Sequence, residues 1–179
     1  GKEMAVSVAS ASVHAVIDME VRAHKDHHAS LRLWLRLLSC STRIEDTIRQ
    51  RLREHFSLTL PRFDLMAQLE REPKGLPMGE LSRRMMVTGG NVTAIVAQLE
   101  SEQLVQRQAH ADDRRSFTVR LTAAGRRAFA AMAQDHEDWV VELLSPLTER
   151  QQDQLYRMLG TLKSGLTPPT PDTQDAPTP

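Results

Sequence analysis

Val87-Thr88-Gly89-Gly90-Asn91-Val92-Thr93-Ala94-Ile95-Val96-Ala97-Gln98-Leu99-Glu100 is the stretch whose reading decides the fold. Val92, Ile95, Val96 and Leu99 recur at i, i+3, i+4 and i+7, the spacing of one buried helical stripe. Thr88 suits the N-cap, because its hydroxyl can accept from the free amides of the first turn. The opposite face holds Gly89, Gly90, Asn91, Thr93, Ala94, Ala97 and Gln98, all small or hydrogen-bonding and none charged. A helix made only for water usually carries Lys and Glu there. A helix that lies against base-pair edges needs little bulk and a few amides or hydroxyls. Gly89 and Gly90 each cost roughly 1 kcal/mol in helix propensity. Close approach of backbone amides to a phosphate would offset that cost; the plainer reading is a glycine turn between two helices.

The flanking sequence extends the pattern. Before the helix, Met78-Gly79-Glu80-Leu81-Ser82-Arg83-Arg84-Met85-Met86 puts Met78, Leu81 and Met85 on one face and leaves Arg83 and Arg84 free to reach a phosphate backbone. After it, Leu104-Val105-Gln106-Arg107-Gln108 and Phe117-Thr118-Val119-Arg120-Leu121 alternate apolar with polar, the signature of two half-buried strands. Between them His110-Ala111-Asp112-Asp113-Arg114-Arg115-Ser116 is too polar for a core. Arg114 and Arg115 stand at the tip, placed for a phosphate or a narrow minor groove. Asp113 is assigned the structural role of holding the tip in shape. From Leu76 to Gly125 the order is therefore short helix, turn, helix, strand, charged tip, strand. That is a winged helix-turn-helix.

Leu81-Ser82-Arg83-Arg84, Asn91-Val92-Thr93, Leu99-Glu100-Ser101-Glu102, Asp113-Arg114-Arg115-Ser116 and Leu121-Thr122-Ala123-Ala124-Gly125 together resemble a MarR-type transcriptional regulator, over residues 30 to 165. The Asp-Arg-Arg wing followed by Leu-Thr-x-x-Gly is the sharpest part of the match. The resemblance implies a homodimer that binds palindromic DNA and releases it when a small, often aromatic, ligand binds. Two positions depart from the family pattern. Gln103 stands where the family usually has Gly, so the recognition helix must end without the usual left-handed glycine. His110 stands where an acidic residue is frequent.

Composition fits this reading. The 179 residues are 40% hydrophobic, 26% charged and 4% aromatic, with no net charge. That suits one mostly α domain with a small β-hairpin, plus tails. The charge is unevenly spread: between Leu76 and Arg127 eight arginines face five carboxylates. Arginine is the residue suited to phosphate forks, and a moderate local excess predicts salt-sensitive DNA binding. No run of about 18 apolar residues suggests a membrane span, and no signal-peptide core is evident. The single cysteine, Cys40, cannot form an internal disulfide and fits a reducing cytoplasm. No elbow, phosphate loop or metalloprotease motif suggests an enzyme, and no cofactor or metal is expected.

The rest reads as scaffold. Residues 1–29 are expected to be a partly disordered extension and 30–57 an N-terminal dimerisation helix, striped by Leu31, Trp34, Leu38, Ile44, Ile48 and Leu52. Residues 58–125 form the DNA-binding domain, with Pro61 opening a helix that buries Phe63, Leu65, Met66 and Leu69. Residues 126–166 form C-terminal dimerisation helices, broken at Pro146 and restarted at Thr148; 167–179 is a Pro-rich disordered tail. The end helices carry more Leu and Trp than one small core needs, so two chains are expected to interdigitate there. A two-fold dimer would set two recognition helices about 34 Å apart, matching an inverted repeat in double-stranded DNA.

The resemblance further implies a pocket between the dimer helices and the winged helix. Trp34, Arg62, Phe63, His136 and Trp139 are its candidate lining: rings to stack on a ring, Arg62 or His136 to meet a carboxylate. An aromatic acid or an acyl-CoA thioester is the effector class implied. Each of the apolar candidates is more often plain core, and Arg62 more often surface. Cys40 offers a redox input instead, though a cysteine among leucines is more often buried and inert. His24 and His28, at i and i+4, offer a weak metal pair. The alternatives to a ligand-responsive repressor are thus a redox- or metal-sensing regulator, and a winged-helix protein-interaction module without DNA binding.

Overall fold

The structure is a computed structural model describing residues 28–85, 89–110, 112–113 and 115–166. The expected N-terminal extension up to residue 27, with His24, and the Pro-rich tail from Thr167 lie outside these residues, as do Thr88 and Arg114. Six helices and three strands are described: α1 (Ala29–Phe56), α2 (Leu60–Glu70), β1 (Leu76–Pro77), α3 (Met78–Met85), α4 (Gly89–Ser101), β2 (Val105–Ala109), β3 (Phe117–Leu121), α5 (Ala123–Leu144) and α6 (Glu149–Gly165). Mostly α with one small antiparallel sheet is the expected class.

Each helix begins and ends for a local reason. α1 stops where Ser57 turns left-handed (φ 52) and the amides of Ser57 and Leu58 cap back onto Arg53 and Leu52. Pro61 sits in the first turn of α2, where a missing amide costs nothing. Thr148 and Gln151 form a reciprocal capping box at the start of α6.

The winged-helix core is built from α2, α3, α4 and the sheet. Leu65, Met66, Leu69, Leu81, Val92, Val96, Leu99 and Val119 are fully buried there. Large aliphatic side chains of this kind each contribute roughly 1.5–3 kcal/mol of transfer free energy. The sheet order is β1-β3-β2, with Val105 opposite Leu121 and Ala109 opposite Phe117. β1 was not expected from the sequence: two residues carry no alternation to read, and Leu76 opposite Val119 is what makes them a strand. Gly75 leads into it at φ +88, where an added Cβ would lie 2.5 Å from the Val119 carbonyl oxygen.

Trp34, on the expected dimerisation stripe, is 53% exposed in the single chain, where the inward face of α1 runs through Leu35 and Ser39. Two burial expectations need correction. Ile95 is only half-buried, at the edge of its stripe. Cys40 is exposed, one residue beyond the buried Ser39 and so turned off the inward face.

The recognition helix, wing and next helix meet at one joint. Gln103 takes the left-handed conformation itself (φ 62), and the amides of Gln103 and Leu104 return to the carbonyls of Glu100 and Leu99. The Thr122 hydroxyl donates to the Gln103 carbonyl (2.7 Å) and accepts from the Gly125 amide (2.9 Å), capping α5. A Cβ at Gly125 would stand 1.9 Å from the Leu104 carbonyl oxygen. The Leu-Thr-x-x-Gly motif is thus a cap plus a close backbone crossing.

The chain divides into two compact units after Trp139. The second holds the end of α5 and all of α6, joined by a turn in which the Gln152 side-chain Nε2 donates to the carbonyls of Leu144 and Leu147. α6 buries no residue; its apolar stripe stays exposed, with Leu155 at 36%, Met158 at 62% and Leu162 at 48%.

Candidate nucleic-acid interface

α4 turns Val92, Val96 and Leu99 into the core, so its outer face is fixed by geometry. Asn91, Thr93, Ala94, Ala97 and Gln98 are all exposed on it. Gly89 and Gly90 form its first turn, and so belong to the helix and not to the preceding turn. The face presents amides and a hydroxyl with no charge and little bulk.

On α3 both predicted arginines are tied down. Arg83, 77% exposed, pairs with Glu80. Arg84 bridges Glu80 (3.1 Å) and Glu72 (3.2 Å), which fastens α3 to the end of α2. The two guanidiniums hold the Glu80 carboxyl below its ordinary range by hydrogen bonding, that of Arg83 first. Arg83 keeps most of its surface available; Arg84 is the more structural of the two.

The wing tip is shaped by its own polar groups. The Asp113 carboxylate accepts from the Arg115 amide (3.0 Å), the holding role assigned to it. The His110 amide donates to the Ser116 carbonyl (3.0 Å), and the His110 ring meets the Thr118 hydroxyl (2.9 Å). Arg115 stands exposed beside them. At the wing base, Arg107 of β2 donates to Glu100 of α4 (2.8 Å) and lies 5.7 Å from the Phe117 ring centroid. Hydrogen bonding from Arg107 lowers the Glu100 pKa, and Glu100 raises that of Arg107. The sequence gives no sign of this clamp, because its members lie on three elements.

The five candidate effector residues do not form one cluster. Phe63 packs on His136 (4.9 Å between centroids) and on Phe129 (5.4 Å). Trp139 packs on His55 (5.6 Å) and Phe56 (6.3 Å). Trp34 lies 21 residues before His55 on the same helix, about 30 Å away along its axis. Arg62 is 4% exposed, against the plain surface alternative: it turns inward to pair with Glu102, just past the end of α4. Among the described residues no group of three or more potential ligands could hold a metal. No helix among them is long and apolar enough to cross a membrane.

Known proteins match this arrangement. The family model described as the MarR family matches residues 58–117, from the residue before α2's N-cap to the first residue of β3. The HTH-type transcriptional repressor Mb2911 of Mycobacterium bovis is 36% identical over 111 residues, 60% of this chain and 76% of that protein. The chain belongs to the MarR family. Like its relatives, this MarR protein is a DNA-binding transcriptional regulator and not an enzyme. Sco3205, a MarR-family regulator from Streptomyces coelicolor solved in complex with DNA, superposes with a TM-score of 0.68 at 25% identity. The match covers 78% of this chain and 89% of that one. The transcriptional activatory protein BadR of Rhodopseudomonas palustris is 30% identical over 105 residues, 58% of this chain and 59% of its own.

Proposed function

We propose that this MarR protein is a homodimeric repressor that binds an inverted-repeat operator and releases it when a small aromatic acid, free or as its acyl-CoA thioester, binds. One observation carries the reading: an exposed, uncharged, small-residue face on α4 stands beside a wing bearing an exposed arginine. Asn91, Thr93 and Gln98 are the base-reading candidates, with Gly89 and Gly90 allowing close approach. Arg83 and Arg115 are the phosphate contacts, joined by Arg114 and Thr88, and by Arg84 to the extent that Glu72 and Glu80 release it. Repression follows the relatives whose names state it, Mb2911 among them.

Dimerisation is favoured by apolar surface that the single chain leaves uncovered. Leu31, Leu33 and Trp34 on α1, and Leu155, Met158, Leu159 and Leu162 on α6, are exposed. Rows of this kind on two terminal helices exceed the scattered apolar exposure of a monomer. For the effector, Phe63 and His136 supply a stacking pair, and His136 a group for a carboxylate.

The DNA arm of the test is fluorescence anisotropy with duplex DNA over a salt series. Arg115→Ala is expected to weaken binding to all sequences and lower the salt slope by about one contact. Asn91→Ala and Gln98→Ala are expected to change sequence preference. An unchanged salt slope and preference in all three variants overturns this assignment of the DNA-contacting residues. The effector arm is a thermal-shift screen of aromatic acids and their thioesters. A true effector raises the melting temperature and releases DNA; binding without release refutes the effector reading.

A further inference from the structure

The outer face of α4 has two flanks, and the wing guards only one. On the other, the last turns of α1, the first turn of α2 and α4 enclose a groove of about 450 Å³. Its lining includes Arg53, Thr59, Arg62, Asn91, Ala94 and Gln98. Asn91, Ala94 and Gln98 belong to the exposed face of the recognition helix, so whatever fills the groove lies alongside that helix.

The groove is built for an anion. Arg62 is 4% exposed; one terminal nitrogen is bound by Glu102, and its buried Nε has no acceptor. A buried guanidinium nitrogen without an acceptor is rare in proteins and asks for one. Thr59, the α2 N-cap, makes no side-chain bond to the first-turn amides, so the positive end of α2 is left uncapped at the groove. Arg53 is exposed at the rim and forms no ion pair among the described residues, whereas its neighbour Arg49 is closed by Glu45 and Asp46. Arg53, the uncommitted side of Arg62 and the α2 N-terminus thus converge with no carboxylate assigned to balance them all.

We propose that this groove is a phosphate site, taking one backbone phosphate of the DNA strand on the side away from the wing. A helix in a major groove about 12 Å wide has a phosphate strand along each edge. The wing meets one edge. The groove presents charge-assisted donors to the other, so the recognition helix is held from both sides. The proposal rests on the DNA-binding reading of α4 and the wing.

The test measures anisotropy of the full chain with a mixed-sequence duplex over a salt series, where phosphate contacts dominate. Arg53 is at the surface, so Arg53→Ala should leave the melting temperature unchanged. It is expected to weaken binding several-fold and lower the salt slope by about one contact, additively with Arg115→Ala. Arg62→Lys keeps the charge but loses the fork, and is expected to weaken binding less. If Arg115→Ala lowers the slope and Arg53→Ala does not, the groove proposal falls while the wing reading stands. If neither changes it, the assigned wing contact fails as well. If Arg53→Ala binds DNA normally but abolishes a thermal shift given by benzoate, the groove is a small-acid site and the phosphate proposal is wrong.

Discussion

Gln103 holds a backbone conformation that suits glycine, at φ 62, to end the recognition helix. A side chain there costs roughly 1 kcal/mol or more against glycine. Gln103→Gly is therefore expected to stabilise the fold by about 1 kcal/mol, a melting-temperature gain of about 2–4 °C in a thermal scan. The departure from the family pattern was legible in the sequence; that the chain would keep the same cap at the cost of strain was not. Asp64 is a case of charge and not of backbone. Partial desolvation of this exposed carboxyl, then the nearby Glu45, raises its pKa, against the pull of His136 and Arg49. A carboxyl whose folded pKa exceeds its unfolded one supports folding below the unfolded value, about 3.9, and loses that support as pH rises through the folded pKa. Ionised Asp64 therefore opposes folding at neutral pH. Asp64→Asn should raise the melting temperature at pH 7, with the gain fading below pH 4; a constant gain across that range would reject the desolvation account.

Among the elements, the wing and recognition helix are fixed by contacts that sequence periodicity cannot show. The helices, the hairpin strands and the tip were legible because each is specified locally, by a stripe, an alternation or a turn. The Arg62–Glu102 pair spans 40 positions, and the clamp from Glu100 through Arg107 to Phe117 joins a helix to two strands. Such pairings exist only after folding. β1 likewise exists only through its pairing with β3. Arg107 is about one-third exposed, so its ion pair adds little stability. Its value lies in aiming the wing. Arg107→Met is expected to move the melting temperature by no more than the equivalent of about 1 kcal/mol, while weakening DNA binding several-fold in anisotropy. Gly125 is less forgiving. Its neighbour at 1.9 Å from an added Cβ is backbone, which cannot swing aside. Gly125→Ala should cost at least about 3 kcal/mol, read as loss of soluble folded protein or a much lower midpoint in urea.

For the whole molecule, zero net charge and DNA binding are reconciled by distribution: from Leu76 to Arg127 eight arginines outnumber five carboxylates, and acidic residues elsewhere cancel the excess. Assembly is the larger question at this scale. The uncovered stripe of α6 was visible as a helical spacing, but only burial values show that the isolated chain leaves it wet. Replacing Leu155 and Leu159 together by Lys is expected to give monomers in analytical ultracentrifugation and to weaken operator binding far more than binding to a half-site. A double variant that keeps the wild-type oligomeric state would reject α6 as the proposed dimer interface. The outward-facing Cys40 offers a direct way to watch this assembly. As the sole thiol in the sequence, it accepts one spin label or fluorophore per protomer without prior mutagenesis. In the proposed dimer, a pair of such labels would act as a ruler between the two copies of α1, read with and without duplex or a benzoate-like acid.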